Sequence, residues 1–190
     1  MTSGGYFDEL YAEHPDPWGL ATRRYEQRKL AILLASLPRP RYRSAFEPGC
    51  AIGVTSLALS ARCDRLLAVD GAAAAVRQAR ARTAGHEVEV RQALMPADWP
   101  SGPFDLVVVS ELLYYLDEPT RAEVADRLVD SVAPGADVVL VHWRHPFAEA
   151  PATGDFVQAE LSRRLAAVGG QVVVDHVEAD FLLRVVRMTP

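Results

Sequence analysis

The sequence predicts an α/β fold: a mostly parallel β-sheet with helices on both faces and an antiparallel hairpin at the C-terminal end. Three observations carry this. Short β-type runs alternate with helical patterns from Ser44 onward, and such alternation builds a parallel sheet covered by helices. The run Phe104–Ser110, FDLVVVS, is apolar with little alternation, as in a strand buried on both faces. The final β runs, 171–178 and 180–188, are joined by a very short turn near Glu178-Ala179, which makes a hairpin and reverses one strand. The length, 190 residues, suits one domain with a substantial core. We read it as residues 1–190, with a helical lid or cap segment at 1–36 and an α/β core at 43–190.

The elements follow in order. Residues 1–19 hold Tyr6, Phe7, Tyr11 and Trp18 among acids, then turn through His14-Pro15-Asp16-Pro17, so a short helix leads into a proline-stiffened turn. Residues 20–36 carry apolar side chains at helical spacing and end before Pro38. A first strand at 44–47 enters the loop Pro48-Gly49-Cys50-Ala51-Ile52-Gly53, followed by a helix at 54–62. Strands are expected at 65–70, 87–92, 104–110 and 136–143, and helices at 72–84, 118–132 and 154–168, the last stopped by Gly169-Gly170.

Composition narrows the function. A net charge of −5 argues against a general nucleic-acid or anionic-membrane binder, since both need a positive face. The N-terminus lacks the apolar core of a signal peptide, and no apolar stretch approaches a membrane span. Cys50 and Cys63 are expected to be reduced thiols of a cytoplasmic protein.

In open α/β sheets ligands bind beyond the carboxyl ends of the strands, beside the first one. The loop there has no Gly-Lys-Ser/Thr, which argues against a Walker-type phosphate site. A dinucleotide fingerprint fails as well, because Gly49 is followed by Ala51 and Val54 where glycines belong. An acid with small residues at +2, +4 and +6 does match, as Glu47, Gly49, Ala51 and Gly53. That pattern resembles the S-adenosylmethionine loop of class I methyltransferases; a plain tight turn is the simpler alternative. Asp70, before Gly71, stands where an acid chelates two ribose hydroxyls, or where an Asp starts a helix. The acid that usually follows the third strand is replaced by Gln92-Ala93-Leu94-Met95-Pro96, so adenine recognition would rest on backbone groups and on Leu94.

Further segments carry a closer resemblance: Asp16-Pro17-Trp18, Tyr25-Glu26, Ser110 through Leu116, His142-Trp143-Arg144-His145-Pro146 and Thr153-Gly154-Asp155. With the 47–53 loop they resemble the nodulation N-methyltransferase family over nearly the whole chain. The resemblance implies a Rossmann-like sheet with strand order 3-2-1-4-5-7-6. It also implies S-adenosyl-L-methionine as cofactor, S-adenosyl-L-homocysteine as product, no metal, and an amine acceptor on a small molecule such as an amino sugar. Glu47, Gly49, Cys50, Gly53, Asp70, Gly71, Leu94, Ser110, Trp18 and Arg28 would bind the cofactor; for Arg28 the alternative is plain surface charge, and for Trp18 the packing of a docked N-terminal helix.

A neutral amine is the nucleophile in such a transfer, so a proton acceptor near it helps. Glu111 is the first candidate, against the alternative of a helix-start acid favoured by the dipole. His142 is the second, and Tyr114 would line the reacting centre with it. Tyr115, Tyr6, Arg144 and His145 are the candidate substrate contacts. Tyr114 and Tyr115, as helical neighbours, are not expected to face one spot. His142 and His145 lack partners at metal-ligand spacing. The alternatives are a small-molecule O-methyltransferase and a non-catalytic subunit that binds S-adenosylmethionine.

Overall fold

The computed structural model describes residues 4–189. The elements run α1 (Gly4–Glu13), α2 (Arg24–Ser36), β1 (Ala45–Pro48), α3 (Val54–Ser60), β2 (Leu66–Asp70), α4 (Ala73–Arg82), β3 (Val88–Gln92), β4 (Phe104–Ser110), α5 (Glu118–Ser131), β5 (Val132–Trp143), α6 (Gly154–Ala167), β6 (Gln171–Val177) and β7 (Phe181–Arg187). They gather into two compact units, one ending at Leu94 and one beginning at Met95.

In the first unit β3, β2 and β1 lie side by side and parallel, with Ala45 opposite Leu66 and Leu66 opposite Val88. All four β1 residues are buried. A small-residue core of Cys50, Ala68, Val76, Ala79 and Val90 lets α4 lie close to the strands. Helix α1 is docked, because Tyr11, Phe7 and Trp18 pack on Ile52, Ala72 and Ala75, and Asp8 Oδ1 accepts from Ala73 N at 2.9 Å, where α4 begins. Helix α2 starts later than its apolar spacing suggests. The Asp16 carboxylate accepts from Leu20 N and Ala21 N, at 2.8 and 3.0 Å, and winds residues 16–23 into turns first.

In the second unit β4 and β5 run parallel, and β5 and β6 flank β7 antiparallel. The strand runs 3-2-1 and 4-5-7-6 are therefore each present within their units. Leu106 through Val109 and Val138 through Val141 are fully buried, as continuous apolar runs should be. Strand β5 begins at Val132, immediately after α5, and not at 136. Val132 pairs with Phe104, and an irregularity before Leu106 absorbs Pro134-Gly135. Asp117 caps α5 through Thr120 N, and Thr153 caps α6 through Phe156 N. Between β4 and α5 lies a single 3₁₀ turn, Leu113–Tyr115, which the sequence pattern does not reveal. No described helix is long and apolar enough to cross a membrane.

Candidate active site

The 47–53 loop owes its shape to its small residues. Gly49, Ala51 and Gly53 take φ of 73°, 49° and 76°, so the small positions are the left-handed ones. Gly49 N and Cys50 N donate to Val69 O, and Gly53 N donates to Cys50 O. Gly53 also permits packing, since a Cβ there would stand 2.9 Å from Ala79 Cα. Ala51, with a side chain, is held in the left-handed region by Asp70, whose Oδ2 accepts from Ala51 N at 2.8 Å. Asp70 Oδ1 accepts from Ala72 N at 2.9 Å. Asp70 thus braces the loop and the start of α4 with both carboxylate oxygens. Burial raises its pKa, against the backbone N–H groups of Ala72, Ala51 and Gly71.

Glu47 is buried at the end of β1, and its Oε2 accepts from Ser56 Oγ at 2.5 Å. Burial pushes its pKa to about 8; the Ser56 bond opposes the shift and the Asp70 charge adds to it. The same burial, with Glu47 and Asp70 nearby, raises the Cys50 thiol. Cys50 and Cys63 are both buried and form no disulfide. Leu94 is 57 % exposed, and a Cβ on Gly71 would lie 3.0 Å from its Cδ2.

Trp18 sits edge-on to Tyr11, at 5.6 Å between centroids, in the aromatic group that packs on Ala51 and Ile52. Tyr6 meets the same group through Phe7. On α2 Arg28 is exposed, as a surface charge or a contact to an incoming carboxylate would be, and its neighbour Lys29 is buried. Lys29 Nζ lies 2.8 Å from Glu26 Oε2 and 5.0 Å from the Tyr25 ring centre.

In the second unit, Ser110 ends β4 and Glu111 follows at φ 54°. A glutamate in the left-handed region costs of order 1–3 kcal/mol and persists where its surroundings hold it. Here Glu111 N donates to Val141 O at 2.9 Å, while Oε2 accepts from Tyr114 Oη at 2.6 Å and from Trp143 N at 2.8 Å. Glu111 does not start a helix, since α5 begins at Glu118 behind its own Asp117 cap. That removes the helix-start reading.

The 3₁₀ turn brings Tyr114 and Tyr115 together after all. Their centroids are 4.9 Å apart, and both rings stand edge-on to Phe147, at 5.1 and 5.6 Å. The expectation from α-helical spacing is thus corrected, and Phe147, which sequence reasoning missed, is the third ring. His142 is fully buried beside Tyr114, with Nδ1 3.0 Å from Gln158 Oε1. An amide oxygen only accepts, so Nδ1 carries the proton. Arg144 is engaged by protein groups: Nε and Nη2 reach Asp155, and Nη1 donates to Glu178 O at 2.7 Å. Hydrogen bonding to Arg144 holds Asp155 below its usual range. His145 Nε2 lies 2.9 Å from Asp180 Oδ1 at the surface. Among the described residues no group of three candidate ligands could hold a metal.

The nodulation protein S (NodS) family model matches residues 8–152. The chain belongs to the nodulation protein S family. With that family it belongs to the S-adenosylmethionine-dependent methyltransferases. A relative, nodulation protein S of Bradyrhizobium diazoefficiens, is 34 % identical over 142 residues, 68 % of each chain. The chain spans less than two thirds of the relatives from Rhizobium tropici and Sinorhizobium fredii, 56 % and 62 % of their lengths. Among solved structures, a methyltransferase candidate from Pseudomonas syringae is 41 % identical, with TM-score 0.77 over 87 % of this chain and 99 % of that one. The N-methyltransferase NodS of Bradyrhizobium japonicum, in complex with S-adenosyl-L-homocysteine, superposes with TM-score 0.81 over 98 % of this chain and 99 % of its own, at 24 % identity. That likeness fixes the Rossmann-like methyltransferase fold.

Proposed function

We propose that the protein methylates the amine of a small molecule, with an amino sugar as the substrate class, using S-adenosyl-L-methionine. The observation that carries the amine reading is Glu111: a carboxylate held in a strained backbone conformation by Tyr114 Oη and Trp143 N, beside three clustered rings. Aromatic faces and a carboxylate together suit a cationic nitrogen. The family relative named an N-methyltransferase points the same way.

The residues of the first unit fit an adenosyl cofactor. Left-handed small residues leave backbone approachable at 49 and 51, the Asp70 carboxylate is an acceptor for hydroxyl donors, and exposed Leu94 offers an apolar face to a base. Glu47 would hold an ammonium group, and Trp18, Cys50, Gly53 and Gly71 would complete the cradle. When bound, the cofactor supplies an electrophilic sulfonium methyl, and the protein's part is positioning.

Glu111 would accept the proton that an ammonium must lose before it attacks, leaving the amine nitrogen neutral. The Tyr114 hydroxyl would keep the carboxylate oriented, and His142, locked by Gln158, would fix the Tyr114 ring in place. Tyr115 and Phe147 would line the acceptor side. Cytoplasmic residence and no nucleic-acid partner belong to the same proposal, supported by two buried thiols and a net charge of −5.

The test is formation of S-adenosylhomocysteine with D-glucosamine against N-acetyl-D-glucosamine, whose nitrogen is blocked. Turnover with the free amine alone is expected. Glu111→Gln should lower kcat by about 10²-fold or more. Equal turnover of both sugars would overturn amine methylation in favour of a hydroxyl acceptor.

A further inference from the structure

Arg121, on the first turn of α5, is 7 % exposed, and nothing in the chemistry above uses it. Its guanidinium is divided between two elements. Nε donates to Glu160 Oε2 on α6 at 2.6 Å, and Nη1 donates back to Leu116 O at 2.7 Å. The Phe156 ring of α6 lies 5.5 Å from the guanidinium carbon. Leu116 is the residue directly after the 3₁₀ turn that carries Tyr114 and Tyr115, and its own N–H closes that turn on Leu113 O at 3.1 Å.

A clamp between α5 and α6 would need only the Glu160 arm. The second arm reaches the exit of the tyrosine turn. A 3₁₀ turn of three residues has weak hydrogen bonds of its own and takes its position from what is tied to it. At its entrance it is tied by Glu111, which accepts from Tyr114 Oη. At its exit the charged contact is Arg121. A forked guanidinium reaches two acceptors in fixed directions, whereas a lysine ammonium is a single point charge.

We propose that Arg121 is a positioning residue for acceptor binding: it fixes the exit of the 113–115 turn, and through it the placement of the Tyr114 and Tyr115 rings. The proposal rests on the reading that these rings meet the acceptor amine. Arg121 touches no reacting atom. Its loss should loosen the turn and weaken acceptor binding while leaving the first unit's loop and Asp70 as they are.

The test uses the full chain and three variants, Arg121→Lys, Arg121→Met and the pair Arg121→Met with Glu160→Met. The double variant replaces both charges by apolar groups, which restores stability where a single deletion strands a partner. Hydrogen exchange is read at Tyr115 and Leu116 N–H. Turnover of D-glucosamine gives its KM, and calorimetry gives the affinity for S-adenosylhomocysteine.

Exchange at those two amides should quicken by about tenfold or more in both Met variants. KM for glucosamine should rise about tenfold, with homocysteine-product affinity within about twofold of wild type. Arg121→Lys should fall between. Thermal stability recovered by the double variant without recovery of KM or exchange separates positioning from mere folding. Unchanged exchange at Tyr115 and Leu116, or a KM that returns with stability, would overturn the proposal. A wild type inert toward glucosamine would defeat the amino-sugar reading, and the exchange measurement would still decide the role of Arg121.

Discussion

Glu47 is a carboxyl group whose folded pKa, about 8, lies far above its ordinary 4.5, chiefly through burial. The consequence for stability has a definite sign. A group with a raised folded pKa contributes its full stability below its unfolded value, and that contribution is lost as pH rises through the folded one. The groups facing it are Ser56 on α3, Cys50 on the loop and Asp70 on β2. Unliganded protein should therefore lose melting temperature progressively between about pH 4.5 and pH 8. Glu47→Gln, which keeps the shape and carries no charge, should flatten that decline. Parallel Tm-against-pH curves for the two proteins would show that Glu47 is already ionised. Adjacent helical residues point about 100° apart, which is why Lys29 is buried where Arg28 is exposed. Partners such as Gln158 for His142 or Ser56 for Glu47 are set by tertiary packing, which a linear pattern does not display.

At the scale of elements, the 47–53 loop was legible because its conformation is written in its composition: the small residues at 49, 51 and 53 are the left-handed ones. Gly53 has a second duty, as it lets the start of α3 pack on α4. Gly53→Ala combines a strained φ with a contact of 2.9 Å to Ala79 backbone. It should destabilise the protein by about 2 kcal/mol or more, read from chemical denaturation. A change below about 0.5 kcal/mol would mean that α4 yields freely, against the close packing described above. The tyrosine turn was not legible for the opposite reason. One turn of 3₁₀ helix is too short to imprint a period, and α-helical spacing wrongly separated two rings that share Phe147. Strand β5 was read short because Pro134-Gly135 looks like a terminator, while the sheet accommodates it in an irregular stretch.

At the scale of the whole molecule, the alternation of β and α runs and the closing hairpin were sufficient for the fold class, since few architectures satisfy both. The candidate site was legible in proportion to how local its residues are. The proposed cofactor residues lie mostly in short stretches around β1 and β2, where spacing displays them. The proposed acceptor residues come from the ends of β4 and β5 and from the 3₁₀ turn, and their contacts emerge only on folding. Net charge of −5 concerns partners and not fold, and it agrees with a small-molecule acceptor.

We propose that the first unit holds an S-adenosyl cofactor on the 47–53 loop beside Asp70. Calorimetric titration of the purified protein with S-adenosylhomocysteine, wild type beside Asp70→Ala, decides this. We expect micromolar binding by the wild type, weakened about 100-fold or more when the Asp70 carboxylate and its charge-assisted hydrogen bonds are removed. A folded wild-type protein that takes up no S-adenosylhomocysteine, or an Asp70→Ala variant that binds it equally well, would contradict the claim.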